Sequence, residues 1–477
     1  MAETTPTLLL LPLMLLSFFL STCYQQVHCF EHKAVLSLSL QKFQWKELKH
    51  VSECLPQQSR REKGATILEM KQKDYCSGHI KNWDETLQNR LVSDESRVKS
   101  MQTLIKNKMS SRIKGMSNSI QIPLKSGINL QTLNYIVTVE LGGKNMTLLV
   151  DTGSDLTWIQ CQPCVSCYDQ QEPLFNPNIS QSYRSITCKS TTCQTLSMST
   201  GNPGVCGTDR RTCNYMVSYG DGSYSRGDLA REYLNLTGTA VPNFIFGCGR
   251  SNKGLFGGTS GIMGLGRSPL SLISQTSRMF KGIFSYCLPD NEDPGSLILG
   301  GNSSVYKNST PITYTRMISD PQLSNFYLLN LTGMTIGGVN LQASFNSSGI
   351  IIDSGTVITR LVPSVYRALK TEFLKQFSGY PPAPTFSILD TCFNLTAYEE
   401  LDIPVIRFGF EGSVQMTVDV IGMFYFVKAD ASQVCLALTS LSYEDDIGII
   451  GNWQQRNQRI VYNTNKSKLG FAKEICN

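Results

Sequence analysis

The chain has 477 residues, 41% of them hydrophobic and 17% charged, which is enough apolar material for a large core and too little charge for a disordered polypeptide. Its 43 Lys and Arg against 37 Asp and Glu leave +6, but the excess is local: residues 31–116 carry 17 basic and 10 acidic side chains, and residues 117–477 carry 26 of each. A neutral body excludes a nucleic-acid footprint, and the confinement of all four histidines (His28, His32, His50, His79) to the first 80 residues excludes His-activated nucleophiles, His-ligated zinc and imidazole acid–base chemistry elsewhere.

In chain order, the first feature is TLLLLPLMLLSFFL at 7–20, a fourteen-residue apolar run. It is shorter than the ~20 residues of a membrane span and has the length of a signal-peptide core. Residues 1–29 are therefore expected to be a signal peptide, cleaved between 23 and 29, although Glu3 stands where a basic residue is usual. A basic leader follows over 30–118, with Leu87, Leu91, Val98, Met101 and Ile105 recurring near helical spacing. From Ile120 onward short β-branched and aromatic runs alternate with Gly, Asn and Pro, as in YIVTVELGG, MTLLVDTG, FIFGCG and RIVYN, so the body is expected to be all-β with a few short helices, one of them beginning at Pro363.

Twelve cysteines lie beyond residue 150: Cys161, Cys164, Cys167, Cys188, Cys193, Cys206, Cys213, Cys248, Cys287, Cys392, Cys435 and Cys476. An even dozen behind a signal peptide suggests six disulfides, whose pairing spacing alone leaves open; without His, a zinc site at Cys161–Cys167 is disfavoured, and no metal is expected. Nine sequons, at Asn145, Asn178, Asn235, Asn302, Asn308, Asn330, Asn346, Asn394 and Asn465, fit the same route. No glycolipid-anchor tail closes the chain, so a product without a stable membrane anchor is expected, in the extracellular space or alternatively the vacuole.

Self-comparison organises the body. Tyr135 opens YIVTVELGG and an LLV run delivers Asp151-Thr152-Gly153-Ser154; Tyr327 opens YLLNLTGMTIGG and an III run delivers Asp353-Ser354-Gly355-Thr356. Each Asp is followed later by two apolar residues and a Gly, at Ile262-Met263-Gly264 and Ile449-Ile450-Gly451. The 202-residue offset of the two aspartates marks a duplicated lobe, with boundaries expected at 119–301 and 302–477. Two carboxylates brought together across a lobe interface share one proton, one acting as base and the other as acid towards a water between them.

The paired motifs, the continuation DTGSDLTW at 151–158 and YGDGS at 219–223 resemble the pepsin-type aspartic proteases, and the DTGSDLTWIQCQPC run with the twelve-cysteine body resembles their plant nepenthesin-like branch. The resemblance covers residues 120–477. It implies a bilobal β fold with the active-site cleft between lobes and an endopeptidase acting at acid pH on polypeptide substrates as a monomer, without cofactor. Asp151 and Asp353 would form the catalytic dyad, supported by Thr152, Gly153, Ser154, Ser354, Gly355 and Thr356. Tyr219, Gly220, Gly222 and Ser223 would form a flap over the substrate, with Trp158 bonding the flap tyrosine. The leader would act as a propeptide that pairs a Lys or Arg with the dyad until acid protonates it. No saposin-like insert interrupts the 124 residues after Asp353, which sets the chain apart from typical plant aspartic proteases. A catalytically dead binding protein, such as a glycosidase inhibitor, is the alternative, and a secreted adhesive glycoprotein would leave both duplicated motifs unexplained.

Overall fold

The structure, a computed structural model, describes residues 39–44, 59–72, 83–111 and 135–476 apart from 220–221, 255, 290–293, 307–308 and 346–348. The expected signal peptide, its cleavage sites, Gly220, Asn308 and Asn346 lie outside the described residues. No described helix is long and apolar enough to cross a membrane.

The body is mainly β and its halves repeat one plan. Tyr135–Leu141 turns at Gly142-Gly143, with φ of +55° and +77°, into Lys144–Asp151. Leu331–Ile336 turns at Gly337-Gly338, with φ of +55° and +90°, into Val339–Asn340. Positive φ at both turn positions suits the twist of a two-residue hairpin and strains any residue with a Cβ. The strand ending at Asp151 runs parallel to Gly261–Gly264, and Ile350–Ile352, which precedes Asp353, runs parallel to Gly448–Ile450. A second parallel pairing flanks each: Trp158–Gln160 with Thr239–Lys253, and Thr359–Leu361 with Leu438–Ser440. The apolar-apolar-Gly segments thus lie beside the aspartate strands in both lobes.

Between the lobes runs a shared antiparallel sheet. Ile283–Cys287 pairs with Gly295–Leu299 on one side and with Gln458–Asn463 on the other, which in turn pairs with Lys468–Lys473. This sheet also contains a leader strand that the basic composition concealed. Ala65–Gln72, buried at every residue, pairs along Gly295–Leu299 and at its end with Tyr135 and Ile136. The leader is therefore woven into the body rather than appended to it. Its second large element is the helix Trp83–Ser111, in which Leu87, Leu91, Val98, Met101 and Ile105 are all buried. Pro363–Gln376 is helical from its proline onward, and five further α-helices of four or five residues occur among the described residues.

All twelve body cysteines are paired. Cys161–Cys248, Cys164–Cys167, Cys188–Cys206 and Cys193–Cys213 brace the first lobe, Cys392–Cys435 the second, and Cys287–Cys476 closes the shared sheet. Asn145, Asn178, Asn302 and Asn465 are exposed, while Asn235, Asn330 and Asn394 are half-buried.

Candidate active site

Both aspartates sit where a short buried strand ends and the chain turns. Asp151 and Asp353 are buried, at 3% and 0% exposure, and each accepts a hydrogen bond at 2.9 Å from the glycine N–H two residues on, Gly153 and Gly355. The loops lock through their hydroxyls. Ser354 Oγ accepts from Thr152 N–H at 3.1 Å and donates to Val150 O at 3.2 Å, while Thr152 Oγ1 accepts from Ser354 N–H at 2.9 Å. Glycine is required at both third positions: a Cβ on Gly153 would stand 2.7 Å from Asp353 Oδ1, and one on Gly355 2.3 Å from Asp151 Oδ1. The apolar strand ends, the hydroxyl and the glycine together bring two carboxylates face to face.

The fourth positions behave differently. Thr356 Oγ1 donates to Asp353 Oδ2 at 2.7 Å, whereas Ser154 Oγ, close enough to favour the charged form of Asp151, is buried without a well-aligned partner. Over the first loop, Trp158 Nε1–H donates to Tyr219 Oη at 2.7 Å, and Phe256 packs edge-on against both rings at 4.9 and 5.9 Å. Tyr219 N–H reaches Ser223 O at 2.8 Å, the flanking Ser218 and Tyr224 are paired antiparallel, and Gly222 has φ of +83°, with Ser223 buried.

The leader helix fills the space between the loops. Arg97 Nη2 donates to Asp151 Oδ1 at 2.8 Å and to Asp353 Oδ2 at 3.0 Å, so one nitrogen bridges both carboxylates, and Nη1 reaches Asp151 Oδ2 at 3.3 Å. Burial would weaken this guanidinium, but the two carboxylates outweigh it and hold its proton more firmly than usual. Burial pushes Asp353 up, yet Arg97, the Thr356 hydroxyl and the Gly355 N–H together hold it below the usual carboxylate range. At Asp151 burial prevails over Arg97, the neighbouring Asp353 adds to it, and the group is raised.

Further along, Gln102 exchanges two hydrogen bonds with the Ile447 backbone at 2.6 and 2.9 Å, and Lys106 pairs with Asp446 at 2.7 Å while lying over the Tyr443 ring. Asp94 is buried against the second loop, on Arg360.

The fold has relatives among solved structures: the crystal structure of a protein titled edgp (TM-score 0.59, 20% identity, covering 72% of this chain and 92% of that one), and basic 7S globulin from soybean (TM-score 0.57, 20% identity, 72% and 93%). These fix the fold alone. The family models described as xylanase inhibitor N-terminal and C-terminal match residues 135–301 and 326–473. An aspartyl protease family protein of Arabidopsis thaliana is 42% identical over 390 residues, 80% of this chain and 81% of its own length. Aspartic proteinase nepenthesin-1 of Nepenthes gracilis is 34% identical over 357 residues, 72% and 78%. The chain belongs to the nepenthesin-like plant aspartic proteases.

In this member of the nepenthesin-like family the residues that sequence reasoning missed all lie on the leader helix or beneath it. Arg97 was one of 17 basic residues in the leader, and nothing local singles it out. Asp94 carried a readable signal. It falls in the series 87, 91, 94, 98, 101, 105, whose alternate steps of four and three residues trace one helix face, and it is the single charge on that apolar stripe.

Proposed function

We propose that the protein is a secreted aspartic endopeptidase, made as an inactive precursor, in which Asp151 and Asp353 hydrolyse peptide bonds of polypeptide substrates at acid pH. One observation carries the reading: two buried carboxylates from matching loops converge on a single nitrogen of Arg97, the place a catalytic water would take once the leader has gone. With Arg97 withdrawn, the pair holds one proton between them. The ionised carboxylate takes a proton from water as its oxygen attacks the peptide carbonyl, and the protonated partner donates to the carbonyl oxygen. The tetrahedral diol then collapses, its C–N bond breaks, and a dyad proton passes to the leaving amine. Gly222 and Ser223 belong to the hairpin that would close on an extended substrate, and Trp158 fixes the Tyr219 hydroxyl from behind.

Acid release of the leader follows from the same contacts. A carboxylate held below its usual range by a partner stabilises the closed form above that range and loses the contribution as pH falls through its lowered value. Asp353 supplies that term. The raised Asp151 acts in the opposite sense, so acid release is carried by Asp353. The apolar run at 7–20, the six disulfides and the exposed sequons support secretion to the extracellular space.

The second reading, a binding protein without activity, draws on the xylanase-inhibitor description of the matching family models. One experiment separates them. The full-length chain is secreted from a eukaryotic host and acidified stepwise, beside an Asp353→Asn twin, while leader removal and digestion of an unfolded protein are followed. Cleavage by the wild type alone supports the endopeptidase; a folded, leader-free wild type inactive throughout the acid range supports the binder.

A further inference from the structure

Beneath the dyad loops, three polar side chains of the body, Tyr286, Gln455 and Tyr462, are fully buried and joined in one chain of hydrogen bonds. Ile283–Cys287 and Gln458–Asn463 pair with Phe284 opposite Tyr462 and Tyr286 opposite Ile460, so the two tyrosines are diagonal neighbours on one face of the shared sheet. Their hydroxyl oxygens lie 2.8 Å apart. Gln455 ends the short turn Asn452–Gln455, which follows the apolar-apolar-Gly segment of the second lobe. Its Nε2 donates to Ile450 O at 2.8 Å and to the backbone carbonyl of Asp353 at 3.2 Å, and its Oε1 accepts from the Tyr286 hydroxyl.

The protons of this chain have one arrangement. The two carbonyls at Nε2 fix the orientation of the Gln455 amide, so Oε1 faces Tyr286 and takes its single O–H. Tyr286 Oη therefore accepts from Tyr462, and Tyr462 Oη in turn accepts from the hydroxyl of Thr152, the residue after Asp151. The chain thus begins at one aspartate loop and ends at the backbone of the other. Burial pushes both tyrosines well up, so neither ionises at an acid pH at which the dyad works. Phe284 stacks on the Tyr462 ring at 4.3 Å and Tyr327 meets it edge-on at 4.5 Å, which holds the ring in place.

The exchange between Thr152 and Ser354 ties the two loops to each other; the lower chain ties both of them to the shared sheet. Apolar side chains could fill this space without the cost of drying three polar groups, and that cost is offset here because each hydroxyl and the amide find partners. A satisfied network in a dry interior is rigid. We propose that Tyr286, Gln455 and Tyr462 are positioning residues for peptide hydrolysis, a bridge that holds the Asp151 and Asp353 loops at the separation at which both carboxylates face one water. The proposal rests on the endopeptidase reading and adds residues to it. The bridge bonds to the Asp353 carbonyl and the Thr152 hydroxyl rather than to either carboxylate, so its loss changes the alignment of the dyad and not the grip on a substrate.

The test acidifies the secreted full-length protein beside its Tyr286→Phe, Tyr462→Phe and doubly substituted forms, and measures kcat and KM on a fluorogenic peptide. Tyr286→Phe leaves Gln455 Oε1 without its donor and should lower kcat about tenfold or more, with KM within about twofold of wild type. Because the bridge fails as a unit, the double variant should lie within about twofold of Tyr286→Phe. A kcat within about twofold of wild type in both single variants, a loss confined to KM, or single losses that multiply in the double variant overturns the bridge. If Tyr286→Phe does not fold, Tyr462→Phe is judged by the same division between kcat and KM. If the wild type cuts no peptide, the endopeptidase reading fails, and the hold on the loops is judged in the precursor. Arg97 spans both carboxylates only at their present separation, so amide hydrogen exchange of residues 94–106 at pH 7 should quicken about tenfold in either variant, while the strand Lys468–Lys473 keeps its wild-type rate. Unchanged exchange in the helix, or equal acceleration in the strand, overturns it.

Discussion

Asp151 and Asp353 leave their strands in the same way, with the same glycine N–H at the same distance, and then meet different neighbours. Asp353 receives the Thr356 hydroxyl at 2.7 Å, and its loop is capped by Asp94 and backed by Arg360; Asp151 has only an unaligned Ser154 hydroxyl beside it, under the Trp158–Tyr219 pair. The fifth position differs most. In the first loop it is Asp155, buried and bonded to Ser268 N–H at 2.7 Å and Asn325 Nδ2 at 2.8 Å; in the second it is Val357. A duplicated backbone thus carries a polarised pair: the second loop is arranged to keep a charge, and the first to carry a proton. The leader helix follows the same asymmetry, since it takes most of its polar anchors (Asp94, Gln102, Lys106) from the second lobe.

The comparison breaks most severely at the dyad. Asp151→Asn and Asp353→Asn should each lower the initial rate of protein digestion by at least about 10³-fold, because neither loop can replace the other's proton function. Next in size is the anchoring of the leader. Asp94→Ala leaves Arg360 buried with a charge and weakens leader binding by about 3–5 kcal/mol. The leader should then be lost at a pH at which the wild type stays closed, as size-exclusion chromatography of the cut protein would show; retention of the leader in Asp94→Ala would make the second-lobe anchor dispensable.

A further effect belongs to the first aspartate loop and has no counterpart in the second. Burial pushes Asp155 up to about 7, against the hydrogen bonds from Ser268 and Asn325 and the leader's Lys108. A raised carboxylate binds its proton in the folded state between the unfolded pKa of about 3.9 and the folded value. Stability is therefore greatest at the acid end and falls as pH rises through that window, by up to about 4 kcal/mol. Thermal unfolding from pH 4 to pH 8 should show Tm dropping in wild type and dropping less in Asp155→Asn. The smallest effect contrasts the fourth positions. Thr356→Val removes a hydrogen bond to a charged group, about 1.5–3 kcal/mol, and should move the acid limb of the pH–rate profile upward by about one unit or more. Ser154→Ala should shift it by less than half as much; equal shifts would remove the asymmetry argued above.

Much of this architecture was readable from local pattern. The aspartate loops, the glycine turns after YIVTVEL and LTGMTI, the helix from Pro363 and the apolar face of the leader helix all follow from short-range periodicity. What escaped depends on distant partners. The leader strand ATILEMKQ has no alternation, being buried on both faces, and its main partner lies more than 200 residues away at Gly295–Leu299. Disulfide pairing was equally opaque, since Cys287 joins Cys476 across 189 residues while Cys164 joins a cysteine three away. Arg360 sits in a buried strand where a charge reads as a misfit until Asp94 is seen beside it.

The leader strand has a further consequence. Ala65–Gln72 is held by five registered pairs to Gly295–Leu299 and two to Tyr135 and Ile136, whereas the helix that covers the dyad is a different element, joined to it only through residues 73–82. Cutting the chain between 111 and 135 would sever the covalent link without dissolving that sheet. Scission and dissociation are then separate events: the clipped protein should migrate as two bands under denaturing electrophoresis and as one particle, a nicked heterodimer, under native conditions.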